Sequence, residues 1–324
     1  MNDSALELEA EEQEAWDAFS RVTIEVAERL TPAVASLTVT SRSGNKRGSG
    51  SGVVITPDGF LVTSAHVVGR SPIGVANFAD GAEFRYEVVG TDPLSDLAVI
   101  RSEGSGLTAA TLGDADRLRV GQLVVAIGNP LGFAGSVSVG VVSGQGRSLV
   151  TQAGRAARVV ENVIQTDASL HPGNSGGALA DTRARVVGIN TAVVGPGFGQ
   201  GLGLAVPVNA TNRGIIAALM ADGVVRRAWL GIGGGPRPLA PVVARQTSRE
   251  QGLEIVQVVP ASPAAAAGLR PEDVILSFDG QPLPDMGALQ RLLTGTCIGR
   301  RVTLEVARAG TVLTIEAVPV ELSS

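Results

Sequence analysis

From Ala33 to about Val208, short apolar runs alternate with clusters of glycine, proline, asparagine and aspartate. Val34–Val39, Gly52–Ile55, Gly59–Val62, Leu97–Arg101, Leu123–Ile127, Val186–Ile189 and Gly203–Val206 have the length and residue types of strands. Turn chemistry at Pro57-Asp58-Gly59 and Asp80-Gly81 separates some of them. No helical period intervenes, so the spacing predicts an antiparallel barrel or sandwich rather than βαβ units. Ahead of this region, Trp16, Phe19, Val26 and Leu30 fall near helical spacing until Thr31-Pro32 stops the run. The resulting amphipathic helix packs on its own domain or on a neighbouring subunit. Behind it, Asn209–Met220 predicts one helix ended by Asp222-Gly223.

A second pattern begins near Trp229, with the boundary at 222–228. Residues 233–241 read as a Gly/Pro-rich loop, followed by strands at Leu253–Val259, Val274–Phe278, Val302–Ala307 and Val312–Ala317 and a short helix at Asp285–Leu293. The expected organisation is therefore an acidic tail and helix start over 1–20, a first domain over 21–224 and a second over 229–324. The uncharged stretch Val120–Gly146 is interrupted by Gly128-Asn129-Pro130 and reads as two buried strands, Leu123–Ile127 and Val137–Val142, rather than a membrane span.

Composition narrows the picture. Forty-two glycines with only 3% aromatics leave Val, Leu, Ile and Ala to fill the core and argue against a helical bundle. The net charge of −5 is concentrated at the start, where residues 1–20 hold seven acids and no Lys or Arg. The remainder is near neutral and has no basic stripe, so a nucleic-acid partner is not expected. One cysteine, Cys297, excludes an intrachain disulfide. With two histidines beside it, a zinc site is not expected either. Neither metal nor cofactor is predicted. Residues 1–20 lack the cationic and apolar regions of a secretory signal, which favours the cytoplasm, with the periplasm left open.

The sharpest chemical signal is Gly173-Asn174-Ser175-Gly176-Gly177. Glycines around a serine permit a tight exposed turn and let backbone N–H groups approach a reacting carbonyl. The string also matches the nucleophile elbow of α/β-hydrolases, which requires a histidine after the serine. Both histidines, His66 and His171, precede Ser175, so that reading fails. The order His66, Asp96, Ser175 is instead that of the chymotrypsin triad, in which imidazole takes the serine proton and a carboxylate holds the imidazole. Asp92 competes with Asp96, although Asp92-Pro93 reads as a turn. Asp58, in its Pro-Asp-Gly turn, would give the subtilisin order.

These residues stand in motifs that resemble the HtrA (high-temperature-requirement, Deg-type) serine proteases. The motifs are Thr63-Ser64-Ala65-His66-Val67, Asp96-Leu97-Ala98-Val99, Gly128-Asn129-Pro130, Thr166-Asp167-Ala168 through Gly177, and Val187-Gly188-Ile189-Asn190-Thr191. Trp229-Leu230-Gly231-Ile232, Pro260 through Ala265, Ala267-Gly268-Leu269 and Asp273-Val274-Ile275 resemble the family's PDZ domain. The likeness spans residues 21–320, with Ser64 and His171 standing where the family usually has Asn.

It implies a mainly β chain, a trypsin-like double β-barrel followed by a PDZ domain. The catalytic residues would be His66 as general base, Asp96 as its orienting carboxylate and Ser175 as nucleophile. The oxyanion hole falls on Gly173, Asn174 and Ser175, with the N–H groups of Gly173 and Ser175 as donors. Leu170, Thr191, Ala192 and Val193 would wall an uncharged S1 pocket for a small or medium aliphatic P1 side chain. Trp229, Leu230, Gly231 and Ile232 would hold a C-terminal peptide, unless the PDZ region is only a cap on the protease. The activity implied is ATP-independent cleavage of unfolded or misfolded polypeptides by a homotrimer. The alternative is a peptide-binding chaperone or adaptor whose protease site rests inactive. His171 adds a second titratable group near the nucleophile, either tuning pH dependence or serving as an ordinary loop residue.

Overall fold

The computed structural model describes residues 18–40, 46–69, 71–129, 135–153, 156–191 and 203–322, and the backbone alone for 46–47, 147–153 and 156–162. The acidic segment through Asp17, Trp16 included, lies outside the described residues. The chain divides into two compact units, Met1–Val224 and Val225–Ser324.

The first unit opens on helix α1 (18–30), which buries Val26 and Leu30. Six antiparallel strands then close a barrel: β1 (Val34–Thr40), β2 (Lys46–Val54), β3 (Phe60–Ser64), β4 (Ile73–Asn77), β5 (Glu83–Asp92) and β6 (Leu97–Ser102), in the order β1-β2-β3-β6-β5-β4. Helix α2 (Ala65–Val68) follows β3 directly. The β4–β5 hairpin was not expected from its mixed apolar and charged residues, although its Asp80-Gly81 turn was.

The barrel is filled by aliphatic side chains such as Leu37, Val54, Leu61 and Ile100 around Tyr86, the chain's single tyrosine. The Tyr86 hydroxyl is buried with no partner among the described residues, and burial pushes its pKa upward. An unpaired buried polar group costs about 1–3 kcal/mol. Tyr86→Phe is accordingly expected to raise stability by about 1 kcal/mol, read as a higher urea midpoint at unchanged slope. A clear fall in the midpoint would show that the hydroxyl is satisfied after all.

A second barrel uses β8 (Leu123–Gly128), β9 (Ser136–Ala153), β10 (Ala156–Thr166), β11 (Ala178–Asp181), β12 (Arg185–Thr191) and β13 (Gly203–Pro207). Their order β11-β8-β9-β10-β13-β12 is closed by pairing of β11 with β12, and β7 (Thr111–Leu112) adds to β12 in parallel. Two closed six-stranded barrels are the trypsin-like double barrel. The β9–β10 hairpin runs well beyond the expected Val137–Val142, with its strands paired out to Ala153 and Ala156. Helix α3 (Ala210–Asp222) then packs on β5 and β6 of the first barrel. Asn209 caps it by accepting from the Asn212 N–H, and Gly223 ends it in the left-handed region.

The second unit pairs β14 (Ala228–Trp229) with β21 (Val320–Glu321). Its main sheet has the order β15-β16-β17-β19-β20, from β15 (Ile232–Pro238), β16 (Gln251–Val258), β17 (Val274–Phe278), β19 (Val302–Arg308) and β20 (Thr311–Ala317), with β18 (Gln281–Pro282) off β17. Helices α4 (Pro241–Thr247), α5 (Pro263–Ala266) and α6 (Met286–Leu292) complete it. Residues 233–238, expected as loop, are therefore a strand. Proline is tolerated there because β15 is an edge strand. At the register shift between Gly233 and Gly234, a Cβ on Gly234 would fall on the Glu254 carbonyl, so the glycines serve the bulge and not a loop.

Candidate active site

The register of the first barrel brings His66 and Asp96 together. Ser64, the last residue of β3, pairs with Leu97, the first of β6, so the residues beyond those two ends face each other. The Ala65 N–H donates to the Asp96 carbonyl at 3.1 Å, and the His66 N–H donates to Asp96 Oδ1 at 3.0 Å. His66 Nδ1 lies 2.9 Å from Asp96 Oδ2 and 3.0 Å from Oδ1. A carboxylate only accepts, so Nδ1 carries the proton and Nε2 is left as an acceptor. Asp96 adopts a φ of 54°, a left-handed conformation that aspartate tolerates better than most residues.

Burial alone would raise the Asp96 pKa. The hydrogen bond and charge of His66, the Thr191 hydroxyl and the His66 N–H outweigh it and hold the carboxyl below its ordinary value. Thr191 Oγ1 donates to Asp96 Oδ2 at 2.6 Å. Thr191, expected as a pocket wall, thus turns its hydroxyl to the carboxylate, a role that sequence reading missed. The competing carboxylates go elsewhere. Asp92 accepts from the Ser95 hydroxyl, while Asp58 is exposed and lies 3.8 Å from Arg101.

Ser175 stands between β10 and β11 on a loop that is hydrogen-bonded almost throughout. The Asn174 N–H donates to the His171 carbonyl (2.9 Å), Gly176 to Asn190 (2.7 Å) and Gly177 to Asn174 (3.0 Å). Gly173 has φ +101°, that of the third residue of a type II turn with Pro172 before it. A Cβ on Gly176, whose φ is +85°, would fall on the Ser51 carbonyl and the Thr63 hydroxyl. Among the described residues, the N–H groups of Gly173 and Ser175 have no acceptor, and no hydrogen bond ties down Ser175 Oγ. Asn174 is different: its N–H is already spent on the His171 carbonyl. His171 itself is exposed and enters the loop through its carbonyl.

Behind the loop, Asn129 and Asn174 are buried with neither amide atom paired among the described residues, and Asn190 leaves its Oδ1 without a partner among them. Leu170 is nearly buried in the second barrel's core, against Gly203. Ala192 and Val193 lie outside the described residues. In the second unit, Leu230 is a core side chain, so it can offer a ligand only its backbone. The N–H groups of Leu230 and Gly231 have no acceptor among the described residues, and a Cβ on Gly231 would collide with Ser262.

Residues 50–189 match the trypsin-like peptidase domain family, and residues 241–318 match the PDZ domain family. An HtrA-type protease, AlgW, solved with a tripeptide, superposes with a TM-score of 0.80 at 34% identity, covering 93% of this chain and 98% of that one. The putative serine protease HhoA of Synechocystis is 36% identical over 286 residues, covering 84% of this chain and 71% of its own. The chain belongs to the HtrA-type serine proteases. The periplasmic serine endoprotease DegP of Escherichia coli K12 is 39% identical over 264 residues, 81% of this chain but 54% of DegP. This HtrA chain thus spans about half the length of that relative. Its Chlamydia trachomatis relative, like DegP, is named periplasmic. That finding overturns the cytoplasmic placement expected above, because the charge and hydropathy of twenty residues do not measure a compartment. Among the described residues, no helix is long and apolar enough to cross a membrane.

Proposed function

We propose that this HtrA-type chain is an ATP-independent serine endopeptidase that cleaves unfolded or exposed segments of proteins through His66, Asp96 and Ser175. The observation that carries the reading is the pair of unspent N–H groups at Gly173 and Ser175, on a loop whose other amide protons at 174, 176 and 177 are all committed. Such a pair is what a tetrahedral oxyanion requires. Ser175 Oγ attacks the substrate carbonyl while His66 Nε2 takes its proton. The carbonyl oxygen becomes the oxyanion and accepts from Gly173 and Ser175. His66 then returns the proton to the leaving amine, and water resolves the acyl-enzyme by the same route. Asp96 holds the proton on Nδ1 throughout, so that Nε2 is the atom that takes and returns the transferred proton.

The aliphatic P1 preference rests on apolar Leu170 and on Thr191, whose hydroxyl is turned away to Asp96. In the PDZ unit, the free N–H groups of Leu230 and Gly231 would receive a C-terminal carboxylate while the peptide adds to edge strand β15. Incubation with unfolded casein, cut-site mapping and labelling with a fluorophosphonate test the reading together. Expected are cuts after Val, Ala, Leu or Ile and a label on the peptide containing Ser175. A label confined to any other residue would sink the assignment. A chain that neither labels nor cuts, yet keeps an unfolded protein from aggregating, would instead be a peptide-binding chaperone.

A further inference from the structure

Ser51, on β2 of the first barrel, is fully buried and makes four hydrogen bonds, three of which reach out of that barrel. Its hydroxyl donates to the Gly173 carbonyl at 2.7 Å and accepts from the Asn129 N–H at 2.8 Å. Its N–H donates to the Ser175 carbonyl at 2.8 Å, and its carbonyl accepts from Thr63 Oγ1 at 2.6 Å. We propose that the Ser51 hydroxyl is a positioning residue for the oxyanion donor of Gly173, clamping the Gly173–Asn174 peptide so that the Gly173 N–H keeps its aim.

A hydroxyl has one proton. An N–H can only donate, so Asn129 forces Ser51 Oγ to accept there and to spend its proton on Gly173. The Gly173–Asn174 peptide is then held on both sides, its carbonyl by Ser51 and its N–H by the His171 carbonyl. The Gly173 N–H is separated from that clamped plane by the Gly173 φ and ψ rotations alone, and glycine is the residue least able to resist rotation. Releasing the carbonyl therefore frees the donor's direction. The Ser175 donor is held separately, because the Ser51 backbone N–H survives any change of side chain. Ser51 touches neither substrate nor the reacting atoms, and Gly48-Ser49-Gly50-Ser51-Gly52 reads in the sequence as one more Gly/Ser strand segment.

The inference rests on the serine-nucleophile reading above. Loss of a whole oxyanion donor costs about 10²–10³ in kcat. A donor that is present but poorly aimed should cost less, roughly 10–100-fold. Ser51→Ala is expected to lower kcat by that factor with KM within about twofold, the mark of an interaction made in the transition state. Affinity for a peptidyl boronic acid, whose tetrahedral adduct places an oxygen at the same donors, should fall by the same factor. The pH profile should keep its shape, since His66 and Asp96 are untouched. Thr63→Val is the control: it removes another buried hydroxyl bonded to Ser51 but leaves the Gly173 carbonyl held, so its kcat should stay near wild type. If Ser51→Ala does not fold, Ser51→Cys makes the same comparison with a weaker donor of similar shape. A Ser51 variant within twofold of wild type in kcat overturns the proposal. So does a Thr63→Val loss equal to that of Ser51→Ala, which would make both hydroxyls merely structural. A wild-type chain that takes no fluorophosphonate at Ser175 removes the underlying reading, and this inference with it.

Discussion

Ser175→Ala lowers kcat about 10⁶-fold while leaving the fold and KM in place, on the scale seen when a serine protease loses its nucleophile. The expectation separates two roles of one residue. Structurally, Ser175 acts through its backbone: its carbonyl accepts from Ser51, and the neighbouring glycines carry the loop's remaining bonds. Its hydroxyl is tied to nothing among the described residues and, on the proposed reading, serves as the nucleophile. Removing it should therefore change unfolding free energy by no more than about 0.5 kcal/mol, the range of a substitution that breaks no structural feature. The residual rate, about 10³–10⁴ above uncatalysed hydrolysis, would come from substrate positioning and the two N–H donors. Single-turnover assays with a peptide cut by the wild type, beside a thermal melt, decide the matter. A variant that keeps a tenth of the activity would place the nucleophile elsewhere.

The second large effect belongs to Asp96→Asn, for which kcat should fall about 10⁴-fold. The amide has nearly the shape of the carboxylate, and its oxygen, in the place of Oδ1, can still accept from the His66 N–H. Its NH2 group, in the place of Oδ2, requires acceptors at His66 Nδ1 and Thr191 Oγ1. The imidazole then carries its proton on Nε2, where it can no longer take one from Ser175. Turnover is lost through the tautomer while the architecture persists.

Asp96 also contributes to stability over a defined pH range. Because its folded pKa is depressed, that contribution is complete above the ordinary aspartate value of about 3.9 and is lost as pH falls through the folded value. Urea midpoints should show wild type ahead of Asp96→Asn at pH 7, with the gap narrowing as pH falls below the ordinary aspartate value. A gap that is the same at pH 7 and in acid would mean that ionisation of Asp96 contributes nothing to stability.

Much of this was legible along the chain. The strand runs, the helix read at Asn209–Met220 with its Asp222-Gly223 stop, and the ordered motifs around His66, Asp96 and Ser175 are local signals, and local chemistry governs them. What escaped did so for physical reasons. The β4–β5 hairpin mixes charged and apolar residues on a barrel wall that is partly exposed, so its alternation is weak. Strand β15 is built from glycines and prolines that only an edge and a bulge can accommodate, and neither is visible before the partner strand is in place.

Residue types, their order and their spacing determined the fold class, the two-unit organisation and the identity of the three groups that could form a triad. Only the tertiary structure brings the carboxylate to the imidazole: order and motif favour Asp96 over Asp58 and Asp92, and the Ser64–Leu97 register sets it against Nδ1. It decided too that Thr191 supports Asp96, that Asn174 spends its N–H on His171 while Gly173 and Ser175 keep theirs, and that Ser51 spans from one barrel to the nucleophile loop of the other. A hydrogen bond is a relation between two groups in space, and these join residues as far apart in sequence as 51 and 173, so no pattern along the chain can report whether a donor is spent.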